Sequence, residues 1–483
     1  MFAYCQPGPG NSSLLDTGAA SQDHALQFPV QNATEDFLAV GSHSWKASRL
    51  HNRYEMRPNC ALIVMLLLAR AAAADFGISG LTSAGQISWT NAFTNGVCTI
   101  EAIPELDGAS SWNPQQNDFT TNSAGQGVIP VSSGDQFFRL LAVDLSTNTP
   151  LAFTNLVQSY GLLSTIAGSG ADAGTDGVNY WQPGFEGGYA SNAALSRPHC
   201  AMSDNTGNVF IVDKDSDSVL GVTVDGRIHT VAGTHAAGNG PDTPTLATNV
   251  AMNLPNGLWV RGDGTVYVLD TGNGKVRRLD TNGIMTTLVT DPSGINGGRG
   301  LWVKNDESLI YYAAGTDLRE WTSIIGIKTM NKQFNDLGNL VVDSSGFIIA
   351  TDRGSNTVWR VDPNSGVRRL LFGNGGTNAV VDGTLALTNS LYGVRGVWIP
   401  PCGGYFLVTD YGCQFLYVDG LGVIHVLVNG ANNAHGGDGR WFYSPGLKFS
   451  QLRSVSMDNA GNILIVENDV GYVRRLGFQR LWP

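Results

Sequence analysis

A two-strand pattern recurs six times, and it limits the fold more than any other feature of the chain. The copies are AMSDNTGNVFIVD (Ala201 to Asp213), LWVRGDGTVYVLD (Leu258 to Asp270), LWVKNDESLIYYA (Leu301 to Ala313), LVVDSSGFIIATD (Leu340 to Asp352), VWIPPCGGYFLVTD (Val397 to Asp410) and VSMDNAGNILIVE (Val455 to Glu467). Each joins a short apolar strand to a second, β-branched or aromatic one through a polar turn, usually with glycine. Most end on a carboxylate. That is a hairpin signature. Most copies continue with two further strands, as in KVRRLDTNGIMTTLV from Lys275 and TVWRVDPNSGVRRLLF from Thr357. Four antiparallel strands per copy make one blade of a propeller, so the expected fold class is all-β, a six-bladed β-propeller.

The last copy lacks its fourth strand, because only seven residues follow Leu476. LLSTIAGSG (Leu162 to Gly170) parallels IHTVAGTHA (Ile228 to Ala236), the fourth strand of the first copy. A strand from Leu162 to Ala167 is therefore expected to complete the sixth blade and close the ring, leaving no open edge.

The chain resembles the NHL-repeat family of six-bladed propellers. The resemblance rests on the TVAG strand end (Thr230 to Gly233), the GGDG loop (Gly436 to Gly439), the proline opening the innermost strand (Pro198, Pro255), the Gly-Asn turns (Gly207-Asn208, Gly461-Asn462) and the V-R-R strands (Val276 to Arg278, Val473 to Arg475). It covers the chain from Leu162 onward. The third copy departs most, with Ala313 for the carboxylate and a WTSIIG strand in place of V-R-R.

The rest of the chain divides by pattern. Residues 75–146 alternate apolar and polar residues between turns (GQISWTN, GVCTIEAIP, GQGVIPV, FFRLLAVD), which predicts a small β-sandwich similar to the immunoglobulin- or fibronectin-like modules of exported bacterial proteins. Residues 147–161 read as a linker and 162–483 as the propeller. The stretch MRPNCALIVMLLLARAAAADF from Met56 has one early basic residue, a short apolar run and small residues at Ala72 and Ala74. That is the layout of a secretory signal peptide over 56–74, the alternative being a short buried core helix. Residues 1–55 show no periodicity and are expected to be an unstructured extension or to lie before the true start. The expected location is secreted or periplasmic.

Of the six cysteines, Cys98, Cys200, Cys402 and Cys413 fall after the leader. Cys402 and Cys413 flank a strand about 20 Å long, too far to bridge, and no C-x-x-C occurs, so the cysteines read as packing residues. With a formal charge of -11 and no basic run interleaved with aromatics, binding to a nucleic-acid backbone is not expected.

Aligning the copies places His199, Asn256, Arg299, Gly338, Arg395 and Arg453 at one equivalent position, two residues before each repeat, near the mouth of the central channel. Two readings are open. The ring is a positive focus for a carboxylate, phosphate or sulfated sugar, or its cations tie blade loops together through backbone carbonyls. The closing carboxylates Asp213, Asp270, Asp352, Asp410 and Glu467 occur around the whole ring and read as turn caps rather than catalytic acids. His235 and His435 lie on inter-blade loops, and Asp438 is the only carboxylate of the GGDG turn, too few oxygens for calcium. No G-x-S-x-G, H-E-x-x-H or phosphate loop is present. The expected function is a non-enzymatic binding or scaffold propeller, with no cofactor or metal, recognising a protein, peptide or glycan. The alternative is a metal-assisted lyase or lactonase-type hydrolase of the same fold.

Overall fold

The computed structural model describes residues 35–41, 61–65, 76–144 apart from 83–84, 94–95, 104–112, 121 and 129–135, and 160–478 apart from 172–174, 402 and 443–445. The described chain is all-β: its only helices are three-residue 3-10 turns.

From Tyr160 onward the described strands form six antiparallel four-stranded sheets, five of them meanders, and two with an added two-residue strand. Their first strands are Pro198–Ser203, Pro255–Val260, Leu301–Val303, Leu337–Val342, Val394–Trp398 and Leu452–Met457. Each first strand touches that of the next sheet, and the sixth touches the first. The apolar core follows the same cycle. Six clusters each join residues of two adjacent sheets, the last of them uniting Leu464, Val466 and Val473 of the sixth sheet with Ala201, Ile211 and Leu220 of the first. The fold is therefore propeller-like.

Burial explains the sequence pattern of the second strands. Val266–Asp270, Ile348–Asp352 and Ile463–Glu467 are buried at every position because a neighbouring sheet covers each face, so they read as continuous apolar runs rather than alternating ones. Glycine in the first strands permits the close approach of sheets at the axis. A Cβ on Gly257 would stand 2.5 Å from the carbonyl oxygen of Arg299 in the next sheet, and one on Gly338 would stand 2.7 Å from that of Arg395.

The sixth sheet is completed by Tyr160–Ala167, which pairs antiparallel with Tyr472–Phe478 in the register Leu163 to Leu476 and Ala167 to Val473. The closing strand begins two residues earlier than its sequence parallel indicated. Leu163 is fully buried and Leu162 is exposed, the period-2 signature of a strand with one covered face.

The third sheet corrects one expectation. Its third strand is Asp317–Thr322, and the WTSIIG segment turns at Ser323 to Ile325 into the fourth, Gly326–Asn331. Arg319 takes the place of the V-R-R arginine. It pairs with Asp291, a loop residue that also accepts the Tyr312 hydroxyl at 2.7 Å, and so replaces the carboxylate missing at Ala313.

Upstream lie two more sheets. One has three strands (Gly77–Leu81, Gln86–Thr90, Gly125–Val128). The other has five: Glu35–Gly41, Ala61–Met65, Gly96–Ile103, Asn113–Thr120 and Gln136–Asp144. Ile87 and Trp89 of the first share a core with Cys98, Ile100, Phe138 and Leu140 of the second. The structure departs from the unstructured extension expected for residues 1–55 at one place, the strand Glu35–Gly41, which pairs with both Ala61–Met65 and Gln136–Asp144. The rest of 1–75, with most of the expected leader, and the expected linker up to Ser159 lie outside the described residues.

Candidate functional site

The register of the first strands shows how the mouth is built. In four sheets the pairing slips at the ring residue: between Pro198 and Cys200, Pro255 and Gly257, Val394 and Gly396, and Leu452 and Ser454. His199, Asn256, Arg395 and Arg453 are thus the extra residues of β-bulges. A bulge frees one residue from the ladder and re-aims its side chain, here toward the channel. Arg299 reaches the same place from the loop before its strand, and in the fourth sheet the slip spans Gly338 and Asn339.

The structure brings His199, Asn256, Arg299, Arg395 and Arg453 around one small cavity. Cys200, Asn339 and Ser454, which the sequence alignment did not single out, complete the lining, while Gly338 has no side chain to contribute. The space for the centre of a water-sized particle is about 10 Å³, room for roughly one water. Three residues further along the first strands stand Trp259, Trp302 and Trp398. Trp259 lies 6.1 Å from Trp302 and 6.4 Å from Trp398, centre to centre. Trp398 packs against the clusters of sheets one and two, four and five, and five and six. Its indole therefore reaches from the fifth sheet to residues of sheets on the other side of the ring.

The closing carboxylates divide into two kinds. Asp213, Asp270, Asp352 and Glu467 each accept the backbone N–H of a residue 17 positions earlier (Ser196, Asn253, Asn335, Ser450) at 2.8 to 3.1 Å. They hold the loop that enters the first strand of their own sheet. In the second and sixth sheets the first arginine of V-R-R supplies the counter-charge: Arg277 to Asp270 and Arg474 to Glu467, both 2.6 Å and fully buried. Asp410 is the exception and corrects the expectation of a turn cap. It is fully buried, and its Oδ2 receives Arg395 and Arg353, each at 2.7 Å, and also Arg453. The ring arginines therefore bind a carboxylate, not the backbone carbonyls expected of a structural tie. Position 393, where the other sheets have Ser or Asn, is Gly393 in the fifth. That was the signal available in the sequence.

Arg353 extends the network outward to Asp336 at 3.0 Å, which also accepts Arg299. Four guanidinium groups thus face two carboxylates, an excess of two positive charges. The neighbouring ionic group, Arg197 and Lys214 with Asp176 and Asp215, is balanced, and buried Asp469, beyond Gln451 on the Arg453 side, accepts from Ser450 and Gln451 without pairing directly with an arginine of the cluster. Burial opposes ionisation of Asp410 and Asp336, but the arginines outweigh it and both carboxyls are held below their usual range. Burial, and then Arg453 and Arg299, depress the Arg395 pKa. Burial and the Arg395 and Arg453 charges push that of His199 well below the ordinary histidine value, so the imidazole is neutral and adds hydrogen-bonding capacity rather than charge. Burial raises the Cys200 thiol to about 11, which keeps it protonated and unreactive.

The loop histidines are engaged locally. His235 stacks on Trp181 at 4.7 Å, and His435 stacks on Tyr472 and contacts Glu467 and Arg474. Asp438 accepts Arg474 at 2.7 Å. Cys413 is buried beside the Asp410 carbonyl, and Cys402 lies outside the described residues.

No protein-family model matches the chain, and no curated protein matches it. Solved structures do. A structural genomics protein of unknown function from Bacteroides thetaiotaomicron superposes with a TM-score of 0.53 at 12% identity, over 85% of this chain and 100% of that one. An auxiliary nutrient binding protein from Bacteroides ovatus superposes with a TM-score of 0.50 at 12% identity, over 81% and 94%. A streptogramin B lyase is matched at 0.40 and 14% identity, over 59% and 94%, too distant to bear on activity. The likeness is one of fold, and the fold is propeller-like.

Proposed function

We propose that the chain is an exported, non-enzymatic binding protein: a six-bladed propeller of the NHL type over 162–483, extended to Tyr160 by its closing strand, behind a β-sandwich module over 75–146 and a leader over 56–74. Its mouth receives an acidic group of a protein, peptide or glycan. The observation that carries this reading is the excess of two guanidinium charges where the six first strands converge. Arg395 and Arg453 form the floor of the site with His199 and Asn256. Arg299 and Arg353 are its partly exposed rim, with the exposed Tyr411 ring 4.3 Å from the Arg353 guanidinium. A guanidinium beside an aromatic face suits an acidic ligand with a flat or apolar body. The nutrient-binding neighbour fits a binding role, though likeness of fold assigns no ligand. The alternative, a metal-assisted lyase or hydrolase, requires a divalent cation where the net charge is positive, and that cation would be repelled.

The test is a binding panel of poly-glutamate, polygalacturonate and heparin against neutral dextran. Acidic polymers should bind in a salt-sensitive way, and Arg299→Gln with Arg353→Gln should weaken binding ~10-fold or more, about 1.4 kcal/mol. Equal affinity for dextran, or unchanged affinity in the double variant, would overturn the proposal.

A further inference from the structure

We propose that the cavity under the mouth is a monoatomic anion site that holds chloride or bromide and ties the sheets together across the channel. The first support is charge. Among the described residues, Arg299, Arg353, Arg395 and Arg453 pair directly with two carboxylates, Asp336 and Asp410, and Arg395 and Arg453 are more than nine-tenths buried. Burying unbalanced like charges is costly, and water filling the cavity cannot offset them. An anion can.

The second support is donors. Arg453 Nε and Arg299 Nε are buried without a hydrogen-bond partner, and both residues line this cavity, as does Ser454, whose hydroxyl lies beside the Cys200 thiol. Native proteins rarely leave such groups unsatisfied. Asn256 Oδ1 is equally without a partner, and turning that amide over would present its N–H₂ group to the same space. The protonated Cys200 thiol is a further weak donor.

The third support is size. About 10 Å³ for a water-sized centre limits any occupant to a single particle, and a halide is only slightly larger than water, whereas a carboxylate has three heavy atoms and a phosphate five. The lining comes from sheets one to six, so a bound halide links residues that share no carboxylate, such as Arg299, on Asp336, and Arg453, on Asp410. A monoatomic anion goes beyond the function proposed above but draws on the same charge excess: one halide offsets one of the two charges and leaves the other for a ligand at the rim.

The test uses the full chain, dialysed into sodium gluconate and titrated with sodium chloride or bromide at constant ionic strength, followed by thermal unfolding. Tm should rise saturably, by roughly 4 °C at a hundredfold excess over Kd for the ~320-residue ring. Crystals grown in bromide should show an anomalous peak in the cavity. Asn256→Asp, which places a carboxylate there, should fold and lose the halide response. Identical Tm values in gluconate and halide, or no bromide in the cavity, would overturn the inference. Bromide bound without any Tm response would mark an adventitious ion only, and a halide response that survives in Asn256→Asp would place the ion elsewhere. If that variant does not fold, the bromide map and the wild-type titration decide the matter.

Discussion

Replacing Asp410 with Asn removes one negative charge from the cluster and raises its excess from two to three. Arg395 and Arg453, each more than nine-tenths buried, lose the carboxylate that both share with Arg353. Breaking a buried ion pair by removing one partner costs about 3–5 kcal/mol, because the remaining charge is left uncompensated. An unfolding entropy of roughly 2 cal/mol/K per residue over ~320 residues gives about 0.7 kcal/mol/K, so Tm should fall by roughly 4–7 °C. Scanning calorimetry at neutral pH in fixed chloride measures it. The control is Asp213→Asn at the corresponding position of the first sheet. Asp213 is as deeply buried but has Leu220 where Asp270 and Glu467 meet an arginine, and its Oδ1 has no partner. Neutralising Asp213 removes a buried charge rather than a counter-ion, so Tm should hold or rise. A Tm for Asp410→Asn within about 1 °C of wild type, or equal losses in both variants, would refute the charge argument.

Further outcomes follow from the same geometry. Burial raises the Asp213 pKa from 3.8 to about 7. The folded state therefore holds that proton more tightly than the unfolded one, and this carboxyl makes stability decline as pH rises from about 4 to about 7 and no further above it. Asp213→Asn should remove that decline in urea unfolding followed across pH, and an unchanged pH profile would count against the assignment. Asp410 has the opposite sign: its lowered pKa contributes stability above the ordinary carboxyl range that is lost as pH falls through the lowered value. Leu163→Ala should cost about 2–5 kcal/mol and the neighbouring Leu162→Ala about 0.5 kcal/mol or less, because alternate residues of the closing strand face core and solvent. Trp398→Ala should cost about 3–5 kcal/mol and raise quenching of the remaining channel tryptophans by acrylamide.

The repeats made the ring legible, because five sheets are local meanders, the sixth is one but for its last strand, and the hairpin chemistry of each is written within a few dozen residues. The closing strand was legible for the same reason: TIAG before the first copy matches TVAG after it. The mouth was legible as positions, since a bulge at a constant offset gives His199, Asn256, Arg395 and Arg453 a common alignment column. What they contact was not. The union of Asp410 with arginines of three sheets depends on side chains 57, 15 and 43 residues away meeting at the axis, and no local pattern encodes that meeting. The same holds for the size of the cavity, for Trp398 packing against three of the apolar clusters, and for Asp291 standing in for the carboxylate absent at Ala313. Upstream, EDFLAVG pairs as a strand although its own pattern is too short to announce one.

The central claim is that the mouth is a cationic, anion-receiving site. Elemental analysis of the purified full chain, dialysed without chelator, tests it most directly. Calcium and zinc should each stand well below one ion per chain. One tightly held divalent cation per chain, lost on replacing His199 or Asn256, would contradict it.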